Sequence, residues 1–108
     1  MTPPINELML QRLPLAFVPA QSLGVNASVQ FDFSQDGGGY YVVTIADGKC
    51  KVREGQIDQP DATMITSQAT YLAVAEGRMN AMTAFMTGQL KVTGNLPLLM
   101  RFQQMFNL

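Results

Sequence analysis

The sequence predicts an α+β fold in which helices cover one face of a single sheet. Three observations predict it. Alternating apolar and polar residues, broken by glycine turns, crowd into residues 25–57. Helical spacing with Ser or Asn caps dominates after residue 66. Two short strand-like segments, near residues 62–65 and 89–93, interrupt that helical region. The chain has 108 residues, the length of one domain. It divides into a helical segment at 1–24, a three-stranded meander at 25–57, and a strand-helix-helix-strand-helix region at 58–108.

Pro3 and Pro4 suit a helix start. Ile5, Leu8, Met9, Arg12 and Leu13 follow the i, i+3, i+4 spacing of a helix stripe. Pro14 predicts a kink or restart there, and Gly24 closes the region. Val29, Phe31 and Phe33 alternate with Gln30 and Asp32 as a half-buried strand. Gly37-Gly38-Gly39 turns the chain into a second strand, with Tyr41, Val43 and Ile45 on one face. Asp47-Gly48 is a two-residue hairpin signal, because that turn needs positive φ twice. Cys50 and Val52 face one side of the third strand, and Lys49, Lys51 and Arg53 the other.

Asp58–Asp61 reads as a loop around Pro60, and Ala62–Ile65 as a short strand. Ser67 is placed to cap a helix carrying Tyr71, Leu72, Val74 and Ala75, ended by Gly77. Asn80 caps a second helix with Met82, Phe85 and Met86, ended by Gly88. Leu90 and Val92 mark a fifth strand, stopped by Gly94. Asn95 caps a last helix with two stripes. One holds Leu96, Leu99, Met100 and Gln103, the other Leu98, Phe102, Met105 and Phe106.

Composition excludes several chemistries. The chain is 47% hydrophobic and 14% charged, which supports a packed core and excludes disorder. A net charge of -1 gives no electrostatic pull toward nucleic acid or an anionic membrane. There is no His, so the usual general base and every Ser-His or Cys-His pair are absent. The single Cys excludes an internal disulfide and a Cys-rich metal site. No segment reaches the ~18 to 20 apolar residues of a membrane span, and residues 13–20 make a poor signal peptide. A cytoplasmic protein with a reduced thiol is expected.

The remaining candidates have plain readings beside the chemical ones. Cys50 as an activated nucleophile needs cationic neighbours, but Lys49 and Lys51 point to the opposite face of a strand. A packed, inert thiol is the expectation. The Gly37–Gly39 run lacks the strand-to-helix setting of a phosphate cradle and reads as a hairpin turn. Asp58 and Asp61 are too few oxygen donors for a cation site and read as turn residues. The basic residues are spread out and balanced by acids, a solvated surface. No catalytic or metal-ligating residue is predicted, and no cofactor.

Eight methionines are the unusual excess. Met79, Met82, Met86, Met100 and Met105 gather near Phe85, Phe102 and Phe106 in the last thirty residues. An ordinary core accounts for them on composition. A deformable apolar cavity is the alternative, because Met is flexible and polarizable.

The run from Gly77 to Asn95 resembles the signature of the sterol carrier protein type two (sterol-transfer) family. Asn80, Ala84, Phe85, Met86, Gly88, Leu90, Lys91, Val92 and Gly94 match it position by position. Residues 25–106 fall in the family's order, and the chain looks like a compact, stand-alone, prokaryotic-looking member. Its ending, Met105-Phe106-Asn107-Leu108, differs from the peroxisomal tripeptide of eukaryotic carriers. The resemblance implies a five-stranded, mixed but mainly antiparallel sheet of order 3-2-1-4-5, with helices enclosing an apolar tunnel. It implies non-catalytic binding and intracellular transfer of a fatty acid, acyl-CoA, isoprenoid or sterol-like lipid.

With that resemblance, the inward positions become expected lipid contacts. They are Phe31, Phe33, Val43, Ile45, Leu72, Met82, Phe85, Met86, Leu90, Val92, Leu99, Phe102, Met105 and Phe106, with Gln103 as a head-group contact. The expected partner is a small hydrophobic lipid, without nucleic acid or stable membrane insertion. Transient membrane contact, a homodimer or an enzyme partner is compatible with this reading. An accessory interaction or dimerisation module beside a lipid or quinone biosynthetic enzyme is the alternative function.

Overall fold

The computed structural model describes residues 5–106, apart from the side chain of Gln103. Pro3 and Pro4, expected at the helix start, lie outside the described residues. The first helical segment runs as α1 (Ile5–Glu7), a π-helical stretch (Leu8–Arg12) and α2 (Leu13–Ala16). Pro14 does not break it. The Leu13 N–H reaches back to the Leu8 carbonyl, one residue farther than in an α-turn. That wider turn accommodates a proline, which has no N–H and crowds the carbonyl four residues back. Leu8, Met9 and Leu13 are buried by it.

The sheet holds β1 (Ala27–Asp32), β2 (Tyr40–Ala46), β3 (Lys49–Glu54), β4 (Ala62–Thr66) and β5 (Leu90–Gly94). Their order is β3-β2-β1-β4-β5, as the resemblance implies. β1 runs parallel to β4 and antiparallel to β2; β2–β3 and β4–β5 are antiparallel. Asp47 and Gly48 both take positive φ, 53° and 70°, and close the β2–β3 hairpin. β-branched and aromatic side chains fill the pleats, and Val29, Phe31, Val43, Ile45 and Met64 turn one way, toward the helices.

Phe33 was expected as the third apolar residue of β1. The strand instead stops at Asp32, whose carboxylate accepts from the Ser34 backbone N–H (2.9 Å) and hydroxyl (2.6 Å). This local bond competes with the strand ladder and bends the chain. Phe33 is fully buried nonetheless.

On the opposite face of β1, Gln30 is buried rather than solvated. Its amide group donates to the carbonyls of Tyr41 and Gly55, 3.0 Å each, and its Oε1 accepts from the Ile57 N–H at 3.0 Å. The side chain thereby pins the segment after β3 against the sheet, and every one of these bonds is made in place of water.

α3 (Gln68–Ala75) and α4 (Ala81–Met86) connect β4 to β5, and α5 (Leu96–Gln104) follows β5. Their caps are those expected. Ser67 Oγ accepts from the Thr70 N–H, Asn80 Oδ1 from those of Met82 and Thr83, and Asn95 Oδ1 from that of Leu98. The C-terminal end is tied to the N-terminal segment. The Val18 N–H donates to the Met105 carbonyl at 2.7 Å, and the Phe17 and Phe106 rings lie 5.6 Å apart.

Asp61 joins three strands. Its carboxylate accepts from the Ser28 N–H (2.8 Å), and its carbonyl accepts from the Asn95 N–H (3.0 Å). Gly94 packs directly over this carbonyl: a Cβ there would sit 2.7 Å from Asp61 O, at a φ of +88°. Gly94→Ala is expected to cost at least the roughly 1–3 kcal/mol of a side chain forced into that backbone region. Urea denaturation measures it. A loss of a few tenths would mean that the β4–β5 junction yields freely.

Candidate functional site

An aromatic column stands at the centre of the helix-covered face. The Phe31 ring meets Tyr71 edge-on (5.7 Å, 89°), and Tyr71 meets Phe33 (5.3 Å). Phe102 packs on Phe31 at 5.8 Å and on Phe106 at 4.8 Å. These spacings are those of favourable edge-to-face and tilted pairs. They fix Tyr71 on α3 and Phe102 on α5 over the middle of β1.

The helices do not close completely over the sheet. Between α3, α5 and strands β4 and β5 lies a cavity of about 330 Å³. Its walls include Leu13, Phe31, Met64, Tyr71, Val74, Met79, Leu90, Phe102 and Phe106, with Thr66, Thr70 and Asn80 as polar members. A second cavity of about 300 Å³ lies between α4, α5 and β5, lined by Met82, Phe85, Val92, Leu96, Met100 and Gln104. The two adjoin: Met64, Asn80, Ala81 and Leu90 line both. Each is at the lower end of the size range of small-molecule sites, and each is walled mainly by apolar side chains.

Of the residues expected to line a tunnel, Phe31, Met82, Phe85, Leu90, Val92, Phe102 and Phe106 line one or both cavities. Phe33, Val43, Ile45, Leu72, Leu99 and Met105 line neither and belong to the filled interior. Met86 was expected to face inward but is 78% exposed and lies outside both cavities. α4 turns Ala84 to the core instead, and a six-residue helix has room for one such face. The side chain of Gln103 lies outside the described residues.

The wall residues that are not among the expected lipid contacts include Met64, Tyr71, Val74, Ala81, Leu96 and Gln104, of which Tyr71, Val74 and Leu96 are expected only on helix faces. Their spacing carries a signal. Tyr71 and Val74 are three apart, and Leu96, Met100 and Gln104 are each four apart, so both sets share a helix face.

No Asp, Glu, Lys or Arg lines either cavity. Burial holds the Tyr71 hydroxyl well above its ordinary range, so the group is neutral. Cys50 lies on β3, paired with Ile45, and burial pushes its thiol up from 9.0 to about 11. That is opposite to an activated nucleophile. Among the described residues no group of three His, Cys, Asp or Glu side chains could hold a metal ion. Among them, too, no helix is long and apolar enough to cross a membrane.

The raised thiol has a stability consequence. The folded state favours the protonated Cys50, so its contribution is complete below pH 9 and is lost as pH rises toward 11. Thermal unfolding between pH 8 and 11 should show a falling Tm that Cys50→Ala flattens. At pH 8 the native thiol should react with an aromatic disulfide reagent far more slowly than the unfolded chain. Equal rates would place the thiol in solvent.

Known proteins share this fold. The model of the SCP-2 sterol transfer family matches residues 10–107. Human sterol carrier protein 2 is 35% identical over 65 residues, 60% of this chain and 12% of that protein. The palmitated SCP2L2 of Aedes aegypti superposes with a TM-score of 0.70 at 19% identity, covering 91% of this chain and 90% of that one. The stereoselective inverting sec-alkylsulfatase Pisa1 from Pseudomonas sp. superposes with a TM-score of 0.82 at 18% identity, covering 92% of this chain and 16% of the enzyme. The latter two likenesses speak to the fold. The family match takes in both cavities and the whole sheet, and the chain belongs to the SCP-2 sterol transfer family.

Proposed function

We propose that this protein binds a hydrophobic lipid in the two adjoining cavities and carries it between sites, without chemical change. The observation that carries the reading is the pair of cavities meeting across Met64 and Leu90, with apolar walls from sheet and helices. Membership of a sterol-transfer family supports it, as does a structural relative described as palmitated. The energetics suffice. A buried methylene contributes about 0.8 kcal/mol, so about ten give about 8 kcal/mol, a micromolar dissociation constant before ordering costs. Few polar contacts are then needed, and the half-exposed methionines at the second cavity adapt to different chains. Membrane contact would be transient, and a cytoplasmic setting is part of the proposal.

The second reading is an accessory module that presents a lipid to an enzyme or holds two enzyme subunits together. It is favoured by the alkylsulfatase, in which a region of this shape makes up a small part of a larger enzyme. Native mass spectrometry of the purified protein, followed by lipid extraction, separates the two. The carrier reading expects a lipid in near-stoichiometric amount. An empty protein that also fails to take up an uncharged fluorescent lipid would leave the module reading standing.

A further inference from the structure

We infer that Met82 and Met100 form an oxidation switch on the lipid site: peroxide converts both to sulfoxides, lipid binding falls, and reduction of the sulfoxides restores it. The inference rests on the lipid-binding reading and adds a regulation of that same site. Seven of the eight methionines lie among the described residues, and exposure divides them. Met9 and Met105 are fully buried and Met64 is 7% exposed, whereas Met82 is 43%, Met100 50% and Met86 78% exposed. Position then separates the exposed three. Met82 on α4 and Met100 on α5 both line the second cavity, beside Phe85, Val92 and Leu96. Met86 lines neither cavity. The same two side chains are thus open to a small oxidant in solvent and part of the wall that a lipid chain would touch.

Few other groups compete for the oxidant. The chain has no Trp and no His, and its one thiol, Cys50, is half-buried. Burial pushes that thiol up to about 11, so at neutral pH it keeps its proton and lacks the reactivity of a thiolate. A thioether has no such proton to lose. Its sulfur lone pair attacks one oxygen of hydrogen peroxide, and the S–O bond forms as the O–O bond breaks. The proton on the transferred oxygen passes to the leaving oxygen, which departs as water. Sulfur gives up two electrons and the peroxide takes them, with no acid, base or metal required of the protein. The product is polar and chiral where the thioether was flexible and apolar, and reductases specific for each epimer reverse it. In the cavity wall the new oxygen either loses its water to the alkyl chain or holds water against it, and both weaken binding.

Hydrogen peroxide treatment of the full chain at pH 7 tests this, read by peptide mass spectrometry and by titration with an uncharged pyrene-alkane reporter. Sulfoxide is expected at Met82, Met86 and Met100 well before Met9, Met64 and Met105. Reporter affinity should fall about fivefold or more while the far-UV circular dichroism stays unchanged. It should return after treatment with the two methionine sulfoxide reductases. Reporter bound beforehand should slow oxidation at Met82 and Met100 and leave that of Met86 unchanged. The double variant Met82→Leu/Met100→Leu keeps apolar walls of similar volume. It should bind as tightly as the parent chain and keep its affinity through the treatment, whereas Met86→Leu should lose as much as the parent. Sulfoxide at both positions with unchanged affinity overturns the switch and leaves lipid binding intact. An equal loss in the double variant overturns the assignment to these two and points to Met79, half-buried in the first cavity. A reporter that never binds the untreated protein removes the lipid-binding reading itself, and the switch with it.

Discussion

Phe31→Ala is expected to lower the unfolding free energy by about 3–5 kcal/mol, the usual cost of deleting a buried phenyl ring. Phe31 is fully buried on the central strand β1, between β2 and β4. Its ring touches those of Phe33, Tyr71 and Phe102, and so links the sheet to both α3 and α5. The void left behind adds to the first cavity instead of collapsing, because that cavity already lies against the ring. A domain of this size has roughly 5–15 kcal/mol in total, so the loss takes a large share of it. Guanidinium denaturation followed by far-UV circular dichroism measures the change, with Phe31→Leu as a milder control. A cost below about 1 kcal/mol would mean that the helices are held over the sheet by contacts away from this column.

Much of the fold was legible because local chemistry decides it. Ser67, Asn80 and Asn95 cap the helices they were expected to cap, since a side-chain oxygen beside orphan N–H groups needs no tertiary information. The Asp47-Gly48 hairpin follows from its positive φ values in the same way. Strand order was not legible from spacing: the β1–β4 pairing joins residues over thirty apart, and only the family resemblance supplied it. Local competition also escaped notice, as at Asp32, where a side-chain hydrogen bond ends the strand before Phe33. Gln30 looked solvent-facing by alternation, and a segment distant in sequence buries it.

The site was half legible for a different reason. Alternation says which residues face the helices, but not where the helices leave space. Phe31 and Phe33 both turn inward and both are fully buried, yet only Phe31 meets the cavity. Met82 and Met86 sit on the same short helix, yet only Met82 lines a wall. Cavity lining is a property of imperfect packing between elements, and no single element's pattern encodes it.

Blocking the site without unfolding the protein is the complementary expectation. Ala81 opens α4, is only half-buried, and lines both cavities where they meet. Ala81→Trp places an indole in that shared space while Asn80 continues to cap the helix. Affinity for an uncharged lipid reporter should fall by about tenfold or more, since an indole excludes several methylenes at about 0.8 kcal/mol each. Stability should change by no more than about 1 kcal/mol, because nothing in the filled interior is displaced. The two substitutions thus pull apart what apolar composition alone merges. Phe31→Ala enlarges the space and weakens the fold; Ala81→Trp fills the space and spares it. Unchanged affinity in Ala81→Trp would mean that the lipid lies outside the space the two cavities share, as along the exposed Met86 side of α4. A Tm that collapses with the affinity would mean that Ala81 is core, and that binding was lost through unfolding and not through blockage of the cavities.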